Sequence, residues 1–268
     1  MLTKRGANRM NKKEWSWVLY DVGNSAFVML ATAIIPIYYG QLTEGSVVVE
    51  WGRAETIVSL IVALLMPFLG SLADYQKNKK KFFIGTVGTG VVACVALGIP
   101  STALLFLIVY IIAAVGVNSS MVFYDAFLVD ATTREKYDSV SAKGYAWGYV
   151  GSLIPFLICV ALIFFGGAIG IDGTLAVKLS FIITALWWLV FSLPLIKNVH
   201  QIHFKAPEAH AVRKSLIGLG RTIKNIIADK KMLFFLLAFF CYIDGVHTII
   251  RMATAFGTDL GIDSTQLV

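Results

Sequence analysis

From Phe82 to Tyr124 the chain carries no charged residue. A helix needs about 20 apolar residues to cross a bilayer, so this run is long enough to cross twice. Gly98, Pro100, Ser101 and Thr102 supply turn chemistry near its middle and break it into a hairpin of two spans. Composition agrees: 57% of the residues are apolar and 15% charged, against roughly 45–50% and about 25% in soluble chains. Such a chain folds against lipid.

Charges mark the other spans, because one held at mid-bilayer costs about 2.5–3.5 kcal/mol on insertion scales. The first span is expected over Trp15 to Gly40 and the second over Ala54 to Ala73. The hairpin gives the third and fourth, Gly144 to Ile171 the fifth and Leu179 to Ile196 the sixth. A seventh runs from Met232 to about Gly257 and contains Asp244 and Arg251. The expected fold class is therefore all-α and polytopic, with seven spans. Twelve spans would occupy roughly 240 of the 268 positions, leaving too few for the visible loops.

Twenty of the 23 Lys and Arg residues fall on alternate connections: the amino-terminal tail, the 2–3 loop, the 4–5 loop and the long 6–7 segment. The positive-inside rule places these in the cytosol, with the amino terminus. The net charge of +7 is then a matter of topology and anionic headgroups, and no nucleic-acid partner is implied. A cleaved signal peptide does not fit the first span, which exceeds a 7–15-residue apolar core and contains Asp21 and Asn24. Cys94, Cys159 and Cys241 lie in apolar spans and read as buried packing residues. Trp15, Trp17, Trp51 and Trp147, near span ends, read as aromatic belts. Pro36 and Pro67 read as kinks, and Gly144, Gly148 and Gly151 as a face for close helix packing.

The 6–7 connection is too long for a turn. Leu216, Leu219, Ile223, Ile226 and Ile227 fall on one helical face and Arg213, Lys214, Arg221, Lys224 and Asn225 on the other, the pattern of an amphipathic helix on headgroups. His200, His203, Glu208 and His210 precede it with a spacing that matches no closed metal site. The domain reading is a cytosolic tail over 1–14, a six-helix bundle over 15–196, a linker over 197–231, and the first helix of a second bundle over 232–268. A weak internal repeat supports the last: with Tyr20 set on Tyr242, Gly23 falls on Gly245, and Asp21 and Asp244 are one residue apart.

Gly70-Ser71-Leu72-Ala73-Asp74, followed by Lys79 and Lys80, resembles the hallmark 2–3 loop of the major facilitator superfamily. Tyr75 stands where that loop usually has arginine, and Lys77 where a second glycine is usual. Trp17 to Phe27 is similar to the first-helix signature of its vacuolar-effluxer-like branch, the autophagy-related amino-acid effluxers and their bacterial relatives. Phe123 to Leu128 resembles the end of that branch's fourth helix, with Asp125 where asparagine is usual. Ser141 to Gly151 resembles the start of its fifth helix, and Tyr242 to Ile249 its seventh. The resemblance implies a major facilitator-type bundle and a secondary transporter working by alternating access. It also implies a conformational role for Gly70, Asp74, Lys79 and Lys80.

Buried ionisable groups persist in spans only where they pair or meet water in a pathway. Asp21, Asn24, Ser25, Tyr124, Asp125, Tyr242, Asp244, His247 and Arg251 are therefore the candidate solute- or proton-binding residues. Asp21 and Asp244 are expected to face a central cavity, with Arg251 as a carboxylate partner or counter-ion. The partners are the lipid bilayer, a small solute such as an amino acid, and coupling protons; no cofactor or metal is expected. No GxxxxGK[ST] motif or nucleophile–base pair is present, so neither an ATP-driven pump nor an enzyme is indicated. The reading from another class is a non-transporting membrane scaffold or assembly factor. The repeat offset further leads to the expectation that the chain is the front portion of a transporter of roughly 400–450 residues.

Overall fold

The computed structural model describes residues 9–206 and 211–267, with the side chains of 211–216 and 219 outside that description. Ten α-helices follow in order: α1 Lys12–Ala33, α2 Ile35–Gly40, α3 Val47–Ala73, α4 Asn78–Ala96, α5 Ala103–Ala131, α6 Tyr137–Phe165, α7 Gly173–Asn198, α8 Ala211–Ala228, α9 Lys230–Asp259 and α10 Ser264–Leu267. Among the described residues six helical segments are long and apolar enough to cross a membrane. α4, at 19 residues with Lys79, Lys80 and Lys81 in its first turn, pairs with α5 as the expected hairpin.

α1 starts earlier than its apolar run because its end is capped. The Asn11 side chain accepts from the amides of Lys13 at 2.8 Å and Glu14 at 2.9 Å, and Glu14 accepts in return from the Asn11 amide at 2.7 Å, a complete capping box. The second Glu14 oxygen accepts from the Thr132 hydroxyl at 2.6 Å and meets the Lys136 ammonium at 3.5 Å. The start of the first span is thereby fastened to the α5–α6 turn. Pro36, at the beginning of α2, marks the break at Ile34 that separates α2 from α1. The first span is thus two helices.

α1 is the buried centre of the bundle, packed against α6 and α7, while α4 packs on α5 and α7, and α3 on α5. Glycines set these distances. A Cβ on Gly116 would lie 2.6 Å from the Cα of Gly90, so α4 and α5 cross with their backbones nearly touching, as small residues permit in membranes. Trp188 of α7 covers that crossing and reaches Phe27 of α1 at 6.0 Å between ring centroids. Gly144, Gly148 and Gly151 of α6 face Trp17, Asp21 and Val22 of α1, which is the close packing their spacing predicts.

Two aromatic layers fill the bundle, one near each end. At the end bearing the lysine-rich loops, here the basic end, Trp17, Tyr20, Phe83, Tyr124 and Phe127 interlock. At the opposite end Tyr38, Tyr39, Trp51, Phe106, Tyr110 and Phe181 do the same. Two of the four expected belt tryptophans, Trp17 and Trp51, are therefore core residues. Each found a ring partner in the bundle, whereas Trp15 and Trp147 stay exposed against one another. Cys94 and Cys159 are buried as expected, but Cys241 is exposed on α9, because no helix covers that stretch of α9. α8 occupies the 6–7 connection and packs on α3 and α9. Its Arg221, Ile223, Lys224, Asn225 and Ile227 are exposed; Arg213, Lys214, Leu216 and Leu219 have side chains outside the described set.

Candidate functional site

Asp21 is only 5% exposed although it lies within a membrane-spanning helix. Its room comes from α6: a Cβ at position 148 would stand 2.7 Å from Asp21 Oδ2 and 3.2 Å from Ser25 Oγ. One turn nearer the basic end, a Cβ at position 144 would stand 3.1 Å from Tyr124 Oη and closer still to the Trp17 ring. Two glycines on one face of α6 thus open adjoining notches, one holding a carboxylate and the other a phenol.

Tyr124 is fixed from behind. Trp17 stacks on its ring at 4.2 Å and donates its indole N–H to the Tyr124 carbonyl at 2.9 Å. Tyr20 lies 4.9 Å away and donates to the Ser120 hydroxyl at 2.6 Å. The Tyr124 hydroxyl nonetheless has no hydrogen-bond partner although the residue is buried. Asn24 is buried and donates to the Tyr20 carbonyl at 3.3 Å. Asp125, next along α5, is exposed. No Lys or Arg among the described residues forms a salt bridge with Asp21 or Asp125. The result is a pair of adjoining notches with one buried carboxylate, an unsatisfied phenol, and Asn24 and Ser25 beside them. An unpaired acid in a membrane interior needs a cation or a proton to be tolerated.

The α9 candidates lie elsewhere. Tyr242, Asp244 and His247 are exposed and are not brought to Asp21. Arg251, one further turn along, turns into the bundle and pairs with Glu55 of α3 at 2.6 Å and with the Asn118 side chain of α5 at 3.2 Å. Tyr110 donates to the same Glu55. Arg251 therefore has a counter-ion within the protein. Sequence reasoning passed over Glu55, although its signal was present: an acid in one apolar run and a base in another are each costly alone.

The 2–3 loop is organised by two acids. Asp74 holds the Lys205 ammonium at 2.9 Å and its carbonyl accepts from the Lys205 amide at 2.8 Å, while Tyr75 and Lys205 form an isolated bridge. Lys79 does not reach the headgroups. Its ammonium is buried, 2.8 Å from Asp130 and 2.9 Å from the Ala126 carbonyl, and stands over the Phe127 ring. The other Asp130 oxygen accepts from the amides of Ile202 and His203 and meets the His203 ring. Asp130, absent from the sequence-derived candidates, is thus the acid that sews α4, α5 and the irregular segment after α7 together. Lys80 is half-buried and Gly70 has open space around it. Of the four residues considered for a metal, Glu208 and His210 lie outside the described residues, and His203 serves Asp130.

Lys77 has φ 67°, the left-handed region, at the position where the superfamily loop usually has glycine. A side chain there costs roughly 1–2 kcal/mol, partly offset by the greater freedom glycine regains on unfolding. Lys77→Gly is expected to stabilise the protein by about 0.5–1 kcal/mol, raising its melting temperature in detergent; a lower one would show the strain is not there.

This architecture and its loop chemistry define a polytopic helical membrane protein of major facilitator type. The family described as "Vacuole effluxer Atg22 like" matches residues 53–131 and 129–268, and the chain belongs to it; effluxers are not enzymes. An uncharacterized MFS-type transporter, YxiO of Bacillus subtilis (strain 168), is 44% identical over 271 residues, covering 97% of this chain and 63% of that protein. An uncharacterized protein of Aquifex aeolicus (strain VF5) is 26% identical, covering 91% of this chain and 57% of that one. Autophagy-related protein 22 of Botryotinia fuckeliana (strain B05.10) is 23% identical over 140 residues, covering 47% of this chain and 23% of its own length. The chain thus spans less than two thirds of each of these relatives. No solved structure matches it.

Proposed function

We propose that the chain forms the first part of a secondary transporter working by alternating access, with its amino terminus and basic loops in the cytosol. Residues 15–196 make one bundle, 197–231 a linker, and 232–268 begin a second. The transported solute is small and polar and carries an ammonium group. Asp21 receives that group, with Asp125, Tyr124, Asn24 and Ser25 around it. The family description supports efflux, and an amino acid is a solute with the ammonium group the notch would take. The observation that carries the proposal is the buried acidic notch with an unsatisfied phenol and no cation of its own. When no solute is bound, a proton on the Asp21 carboxylate serves the same electrostatic end, which couples transport to the proton gradient. Tyr242, Asp244 and His247 face away from this notch, and their part belongs to another stage of the cycle.

The test is a thermal-shift screen of amino acids, short peptides and nucleosides on the complete gene product in detergent. Compounds with a free amine are expected to raise the melting temperature, and Asp21→Asn to abolish that rise while the unliganded protein melts normally. Equal shifts with N-acetylated compounds, or an undiminished shift in Asp21→Asn, would refute the assignment. A protein that no solute shifts or crosses would favour a membrane scaffold.

A further inference from the structure

α9 touches the bundle unevenly. Its only buried residues, Thr254, Ala255 and Gly257, lie in its last two turns. From Met232 to Ile250 none is buried. At the end away from the basic loops, by contrast, three fastenings converge. The Asp259 carboxylate accepts from the Ser46 hydroxyl at 2.5 Å and from the amides of Val47 at 2.7 Å and Val48 at 3.2 Å. It thereby caps the first turn of α3 from another helix. Deeper in, Arg251 pairs with Glu55 and Asn118. Between them a Cβ on Gly40 would lie 2.9 Å from the Thr258 methyl, so α2 and α9 pack at van der Waals distance.

We infer that the Asp259 cap and the Glu55–Arg251 pair are a two-part latch holding α9 closed on α2 and α3 at the end opposite the basic loops, in a state open toward the basic end. Both parts are polar and both exchange well with water, so they separate at small cost once that end is hydrated. Apolar packing of the same area would not. Glu55 and Arg251 sit on facing helices inside the spans, where neither charge is tolerable against lipid. When α9 swings out, both must therefore face an aqueous path rather than acyl chains. Tyr110 remains on α5 as a neutral partner for Glu55. In the closed state Arg251 is engaged by Glu55; in the other it is free for the carboxylate of a solute. The inference rests on the transporter reading, but it concerns the position of α9 and needs no solute to be tested.

Spin labels at the exposed positions Val49 and Leu260, on either side of the latch, report that position. Exposed Cys241 is first replaced by serine; Cys94 and Cys159 are buried. In the complete gene product in lipid nanodiscs, double electron–electron resonance is expected to give a short, narrow distance distribution. Glu55→Gln and Asp259→Asn should each move population to a longer distance, and the double variant should move more than half of it. Asp259→Asn lies at the aqueous edge, so it decides the matter if Glu55→Gln fails to fold. An unchanged distribution in Asp259→Asn or in the double variant, or an unmodified protein already at the longer distance, overturns the latch. Helices that separate in a protein that carries no solute would contradict the transporter reading and leave the latch intact.

Discussion

Asp130→Ala is expected to destabilise the protein by about 3–5 kcal/mol, the cost of breaking a buried ion pair by removing one partner. The substitution leaves the Lys79 ammonium with the Ala126 carbonyl as its hydrogen-bond acceptor, still buried. It also strips the acceptor from two backbone amides, those of Ile202 and His203. For a chain of this size such a loss lowers the melting temperature by on the order of 10 °C. Adding Lys79→Met removes the stranded charge, so the double variant should be more stable than Asp130→Ala alone. A double variant as unstable as the sum of the two single ones would show that the residues are not coupled.

The second large effect concerns the crossing of α4 and α5. Gly116→Val places a branched side chain where even a Cβ would stand 2.6 Å from the Gly90 Cα. Backbone cannot rotate aside as a side chain can, so the helices must separate and lose the cover of Trp188. Overpacking typically costs about 1–3 kcal/mol and sometimes more; here the upper end is expected, because two backbones and a tryptophan ring shift together. Gly88→Ala, on the facing helix α4, is the control. It has nothing within 4 Å of the new atom and should be neutral or stabilising by up to about 1 kcal/mol. If the two variants melt alike in detergent, the crossing is not the constraint described.

The hairpin of α4 and α5 was legible in the sequence because both the uncharged run and its Gly-Pro break are local signals. So was the packing face of α6, since three glycines recur at helical spacing. The tryptophans were misjudged because belt and core positions look alike along one helix; only the arrival of Tyr124 against Trp17, and of Tyr110 against Trp51, separates them. Asp21, Asn24, Ser25, Tyr124 and Asp125 were legible as polar groups in apolar runs; the structure sets Asp21, Ser25 and Tyr124 at the α6 notches and leaves Asp125 exposed. The α9 candidates looked equivalent to one another as polar groups in one apolar run. The structure divides them, since a helix packed at one end only buries that end. Glu55 and Asp130 were hidden for a common reason: each is explained by partners distant in the chain, Glu55 by Arg251, and Asp130 by Lys79 and the segment after α7.

The most direct test of the account is solute flux through the complete gene product in proteoliposomes, using the amine-bearing compound that gives the largest thermal shift. The account predicts flux that Asp21→Asn abolishes, with folding intact, and that Gly148→Leu, which fills the carboxylate's notch, also abolishes. Undiminished flux in a folded Asp21→Asn protein would contradict it.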